Sequence, residues 1–146
     1  MAGIISRCGY RCDLCLIYRD NLKGVEDRKR FRDGLLKYYR HHVALEECYC
    51  DGCLTDDSQN PVLITADCRV RACAITRGLE TCASCDRYPC GILKRRFIDY
   101  GKVRQRFGAP IPRAEYLMFI RPYEGQKELD RIRQKKGPAP KRKKRA

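Results

Sequence analysis

Eleven cysteines in 146 residues constrain this chain more than any other feature of its sequence. Three pairs, Cys12/Cys15, Cys50/Cys53 and Cys82/Cys85, have the spacing Cys-x-x-Cys. Two intervening residues let both sulfurs turn to one side of a tight loop and chelate one ion, and Gly52 inside the second pair eases that turn. A structural zinc site takes four such sulfurs in a tetrahedron at about 2.3 Å. Two pairs from different parts of the chain would therefore clamp those parts together. Staples of this kind matter most below about 70–80 residues. Here they compensate for a thin apolar core, since the chain has no tryptophan and only four phenylalanines. Structural zinc contributes on the order of 10–16 kcal/mol in small domains, more than a typical net stability.

The odd cysteine count argues against a closed disulfide framework. The first eight residues, Met1 to Cys8, contain no apolar run of signal-peptide length, and no stretch approaches a membrane span. A cytoplasmic location is expected, where thiols stay reduced and dense cysteines mean metal or redox chemistry. The ligand candidates are Cys8, Cys12, Cys15, Cys50, Cys53, Cys68, Cys73, Cys82, Cys85 and Cys90. One expected grouping puts Cys50, Cys53, Cys68 and Cys73 on one ion and Cys12, Cys15, Cys82 and Cys85 on another. That leaves Cys8 and Cys90 as extra thiols or alternative ligands. Cys48, His41 and His42 are weaker candidates. Zinc is the expected metal, and an iron–sulfur cluster is the alternative, since thiolates hold both. Cys8-x3-Cys12-x2-Cys15 also has the spacing of radical enzymes that bind a cluster and S-adenosylmethionine. Those enzymes use a large parallel α/β barrel, for which this chain is too short.

The fold class expected is mainly α with irregular cysteine-knuckle loops, forming a small metal-stabilised domain. Phe31, Leu35, Tyr38 and Tyr39 lie three and four apart, which predicts a helix over about 27–45. Gly34 inside it costs about 1 kcal/mol of propensity. Val62-Leu63-Ile64 reads as a strand or an extended piece, and residues 71–76 as one or two helical turns closed by Gly78. A helical pattern runs from Gly91 to Phe107, and two further short helices are predicted over 113–120 and 126–135. Three regions follow: a Cys-rich metal-binding domain over 1–108, a helical extension over 109–136, and a basic tail over 137–146, too charged to pack.

The ordered signature resembles a known family. It runs Cys8-Gly9-x-x-Cys12-x-x-Cys15, Cys50-x-Gly52-Cys53, Cys68-x4-Cys73-Ala74, then Gly78-Leu79-Glu80-x-Cys82-x-x-Cys85-x-x-Tyr88-Pro89-Cys90. It is similar to a prokaryotic cysteine-rich family known only as domain-of-unknown-function family 3795, over about residues 8–97. Cys48 looks like an addition to that pattern, and the chain after about 108 lies outside it. The resemblance implies a small metal-binding domain, often regarded as zinc-binding, and brings no established activity.

Function is less legible than stability. The formal net charge is +14. Two four-thiolate zinc sites would reduce it to about +10, still strongly basic. A basic surface favours acidic partners, so RNA or DNA is the expected partner class. Tyr38-Tyr39-Arg40 and Arg95-Arg96-Phe97 interleave aromatics with cations, a pattern suited to stacking on bases while holding phosphate. A protein partner is a further reading, with the polar face of the 27–45 helix as its surface. A thiol or redox enzyme is the competing reading. Its best nucleophile is Cys90, expected at a helix start beside Lys94 and Arg95. No nucleotide fingerprint and no paired acid/base motif supports an enzyme, which makes an enzyme the less favoured reading.

Overall fold

The computed structural model describes residues 3–136. The expectation of a basic tail over 137–146 falls outside them. The regular elements are helices: α1 (Val25–Tyr39), α2 (Arg69–Thr76), α3 (Gly91–Lys94), α4 (Tyr100–Phe107), α5 (Arg113–Phe119) and α6 (Gly125–Lys136). Among the described residues no strand forms. Two isolated bridges, Ile5 with Arg11 and Tyr18 with Cys50, are the nearest approach to one. The molecule is thus mainly helical, with most of its cysteines in the loops between helices.

Two helices end differently from their sequence pattern, each for a local reason. The predicted 27–45 helix stops at Tyr39 because Arg40 turns left-handed, with φ 52°. Its N–H closes on the Leu36 carbonyl and that of His41 on Leu35, which satisfies the last carbonyls. The apolar period over 91–107 continues across a break. There the Asp99 carboxylate accepts the Lys102 N–H at 2.8 Å and starts α4 afresh. An N-cap outweighs periodicity, leaving α3 as a single turn of four residues. Val62-Leu63-Ile64 stays irregular.

Three apolar clusters form the interior. The first joins Tyr38 of α1 to Val103, Ile111, Phe119 and Ile120. Gly34 belongs to this contact: a Cβ there would overlap the Phe119 ring, so the propensity cost of glycine is offset by close approach of α1 and α5. The second cluster surrounds Ile17, Phe31 and Cys48. The third gathers Cys8, Val70, Ala83, Leu93 and Leu129. Cysteines enter the second and third, so much of the packed interior is also thiol.

Residues beyond the cysteine-rich segment close this interior. Leu129 of α6 is fully buried in the third cluster. Beside it, the buried Glu128 carboxylate receives Arg11, Arg121 at 2.7 Å, and Arg131. One carboxylate thereby ties α6 to the N-terminal loop and to the turn before α6. The start of α6 lies directly on the Cys8-Gly9 turn: a Cβ on Gly125 would run into the Cys8 carbonyl, and one on Gly9 into the Gly125 carbonyl. Gly9 also has φ +91°, which glycine alone adopts without strain.

Candidate metal centre

The ten candidate cysteines fall into two neighbourhoods of four, with Cys8 and Cys68 between them. Cys12 opens a short 3-10 turn and Cys15 ends it. The following loop is pinned to the Cys50 strand-like segment by Cys50 N–H to Ile17 O at 3.0 Å and Arg19 N–H to Cys50 O at 2.9 Å. This brings Cys12 beside Cys53, Cys15 and Cys50. Burial, then these neighbouring thiols, push the Cys12 thiol well up. Burial also raises Cys15, and it pushes Cys53 up to about 11. Polar groups are aimed at these sulfurs. The Gly52 N–H donates to Cys50 Sγ at 3.4 Å and the Arg7 N–H to Cys53 Sγ at 3.3 Å. The Tyr123 hydroxyl lies 3.2 Å from Cys15 Sγ.

The second group comes from a shorter stretch. Cys73 lies on α2, Cys82 opens a 3-10 turn with Cys85 at its end, and Cys90 precedes α3. The Thr81 hydroxyl accepts the Ala83 N–H and holds that turn. The side chain of Arg133 on α6 reaches the Ala83 and Cys85 carbonyls at 2.8 and 3.2 Å. Cys82 is pushed up to about 12, by burial first and then by Cys8, Cys85, Cys90 and Cys73. The Arg87 N–H donates to Cys85 Sγ at 3.4 Å. Arg77, one helical turn after Cys73, lies near Cys73 and Cys85 and pairs with the Asp86 carboxylate at 3.7 Å, and these neighbours hold its guanidinium more firmly charged. All four cysteines border one small cavity whose remaining walls are mostly apolar.

Cys8 and Cys68 lie between the groups, in the third cluster. Cys8 is buried, 3.4 Å from the Ser6 hydroxyl, and burial raises its thiol. Arg96 lies near Cys8 and Cys68, and 5.2 Å over the Tyr10 ring. The residue 7 peptide joins the two groups. Its N–H faces Cys53, and its carbonyl accepts the Cys82 N–H at 2.9 Å.

These neighbours differ from the grouping expected from sequence. Cys12/Cys15 meets Cys50/Cys53, and Cys82/Cys85 meets Cys73 and Cys90. Spacing along a chain sets which two sulfurs chelate together but not which pairs meet, and the Tyr18–Cys50 bridge decides that here. Cys48 stands apart. It is fully buried, and its S–H donates to the Ala44 carbonyl at 3.5 Å. His41 and His42 are exposed in the segment after α1. Cys90 precedes a helix of one turn only, so the full helix dipole expected at its thiol is not there.

Among the described residues, no three His, Cys, Asp or Glu side chains are already gathered as one bound ion would require. The donor set nevertheless suits thiolate ligation. A thiol sulfur is a weak acceptor and a thiolate a stronger one, and the N–H groups aimed at Cys50, Cys53 and Cys85 are donors that a metal-bound thiolate can accept. Arg77 follows Cys73 at i+4, a relation readable from a helix pattern. The Arg7 N–H, the Tyr123 hydroxyl and Arg96 reach their sulfurs only through tertiary folding, and no local signal announces them.

Fold and site together define a small, mainly helical, cysteine-rich domain. The family described as "Protein of unknown function (DUF3795)" matches residues 4–95, more than half of the chain, and the protein belongs to that family. No curated protein and no solved structure matches it.

Proposed function

We propose that the protein is a metal–thiolate protein in which Cys12, Cys15, Cys50 and Cys53 hold a structural zinc and Cys73, Cys82, Cys85 and Cys90 form a second metal centre. One observation carries the reading: each group of four cysteines has a backbone N–H directed at a sulfur, the kind of donor a metal-bound thiolate accepts. Bound zinc would supply the cross-link that holds the N-terminal loop on the residue 48–53 loop. The residues around it orient the sulfurs and exclude water. Metal analysis of the full chain, purified without oxygen, tests this. Stoichiometric metal at two centres is expected, together with loss of helical circular dichroism when the protein is refolded with a strong chelator. Metal-free protein with an unchanged melting transition would overturn it.

A nucleic-acid-binding role is favoured by a separate observation. Lys94, Arg95, Lys102 and Arg104 are exposed. Among the described residues none of the four is in an ion pair. Arg104 lies over the Tyr100 ring at 5.6 Å, so a cation and an aromatic face stand together. Titration of RNA and DNA binding against salt is the test. Affinity that falls steeply as salt rises is expected. Absence of binding even at low salt would remove the reading.

A further inference from the structure

We infer that the nucleic acid this protein takes is double-stranded, and that α4 and the end of α1 hold it by its phosphates and not by its bases. The inference rests on the nucleic-acid-binding reading above and narrows it to one ligand class. It does not depend on the metal centres.

Base stacking needs an aromatic face open to solvent, and proteins that bind single strands line a basic groove with such faces. No ring of this chain is exposed. All nine tyrosines and all four phenylalanines lie among the described residues, and each is buried or half-buried. The two segments that interleave aromatics with cations turn their rings inward. Tyr38 is only 2% exposed, the Tyr39 hydroxyl donates to the Phe119 carbonyl at 2.6 Å, and Phe97 packs against the third cluster. What those segments leave at the surface is Arg40 and Arg95. Rings near the basic surface already have partners. Arg104 lies over Tyr100 at 5.6 Å and Tyr116 meets the same ring at 4.8 Å, while Lys37 lies over Phe107 at 5.8 Å.

Cations are available where rings are not. Arg40, Lys102, Arg104 and Arg106 are exposed, and among the described residues none of the four is in an ion pair. Three of them lie on α4. The Arg106 guanidinium donates to the Tyr38 carbonyl at 3.3 Å, which sets α4 against the end of α1, two residues before Arg40. The carboxylates nearby are engaged. Asp99 caps α4 through the Lys102 N–H, and Glu115 pairs with Lys37 at 2.8 Å. Beside Arg104, the open hollow formed with Gly101, Gln105, Gly108, Ala109 and Pro110 has no carboxylate in its wall. A surface that offers charge without rings binds phosphate, and phosphate contacts carry no sequence information. A duplex, with one negative charge per about 1.7 Å of its axis, is the denser target for such a surface.

The test is fluorescence anisotropy of the full chain with a labelled DNA duplex, an RNA duplex of the same length and the separate strands of each, over a range of salt. Expected is binding to a duplex about tenfold or more tighter than to its strands, equal for two unrelated sequences, and falling steeply as salt rises. Preference for either duplex over its strands supports the inference, and the two arms show which duplex is the better ligand. R40Q/K102Q/R104Q should weaken duplex binding about tenfold or more and reduce the slope of log affinity against log salt by up to about 3, since each phosphate contact contributes about 0.9. If that variant does not fold by circular dichroism, R104Q alone should reduce the slope by about 1. Strands bound as tightly as the duplex, or a marked preference for one sequence, would overturn the inference and leave the nucleic-acid-binding reading standing. Unchanged duplex affinity in the folded triple variant would also overturn it. No binding of any of these probes at low salt would overturn both.

Discussion

Cys12, Cys15, Cys50 and Cys53 draw together loops from opposite ends of α1, whereas Cys73, Cys82, Cys85 and Cys90 come from one local stretch around α2. The first group is long-range and half-buried, with Tyr123 from the distant C-terminal part against Cys15. The second is local, includes an exposed cysteine, and encloses apolar space. The same Cys-x-x-Cys turn serves both. What differs is the sequence distance bridged, and that distance decides how much of the fold depends on each group.

The largest effect should come from breaking the long-range group. Cys12→Ser with Cys15→Ser removes half of its donors and with them a contribution on the order of 10 kcal/mol, comparable to the whole stability of a small domain. Loss of the cooperative melting transition by circular dichroism is expected, while the same pair of changes at Cys82 and Cys85 should lower Tm and keep the transition. A cooperative melt surviving the first pair would erase the distinction between the groups.

Glu128→Gln should come next, at about 3–5 kcal/mol in urea unfolding, since it removes the buried carboxylate that Arg11, Arg121 and Arg131 share. A change within about 0.5 kcal/mol, the range of an ordinary surface substitution, would mean that α6 does not brace the junction of the two groups. Arg77→Gln should weaken metal retention at the second centre alone by about 10–100-fold, the usual cost of losing a residue that supports metal ligands. Competition with a chelator reads this, and equal weakening at both centres would contradict it. Cys48→Ala is the smallest change, about 1 kcal/mol with metal content untouched. A lost metal equivalent there would place Cys48 among the ligands.

The sequence carried the kind of fold in plain view. Cysteine spacing identified the tight turns, the three-and-four apolar pattern located α1, and Gly78 marked the end of α2. The two helix boundaries that differed, at Arg40 and Asp99, were set by one left-handed residue and one capping carboxylate, neither of which alters apolar periodicity. The partners of each cysteine pair were beyond reach for a different reason. Chelation within a pair is local, but the meeting of pairs depends on which loops pack, and that is fixed by contacts such as Tyr18 against Cys50. Gly34 misled in an instructive way. Its cost is a property of the helix alone, and its benefit belongs to a ring eighty-five residues away, Phe119.

The seating of Gly125 on the Cys8-Gly9 turn has a consequence for the family as a whole. The shared segment, residues 4–95, ends well before α6, so in this chain the common part is a socket and Leu129 with Glu128 is the plug that fills it. A relative that keeps the cysteines but lacks such a helix must stop the same opening with something else, either its own terminus or a neighbouring chain. Diversity among these proteins should therefore concentrate in the stopper, with the socket held constant.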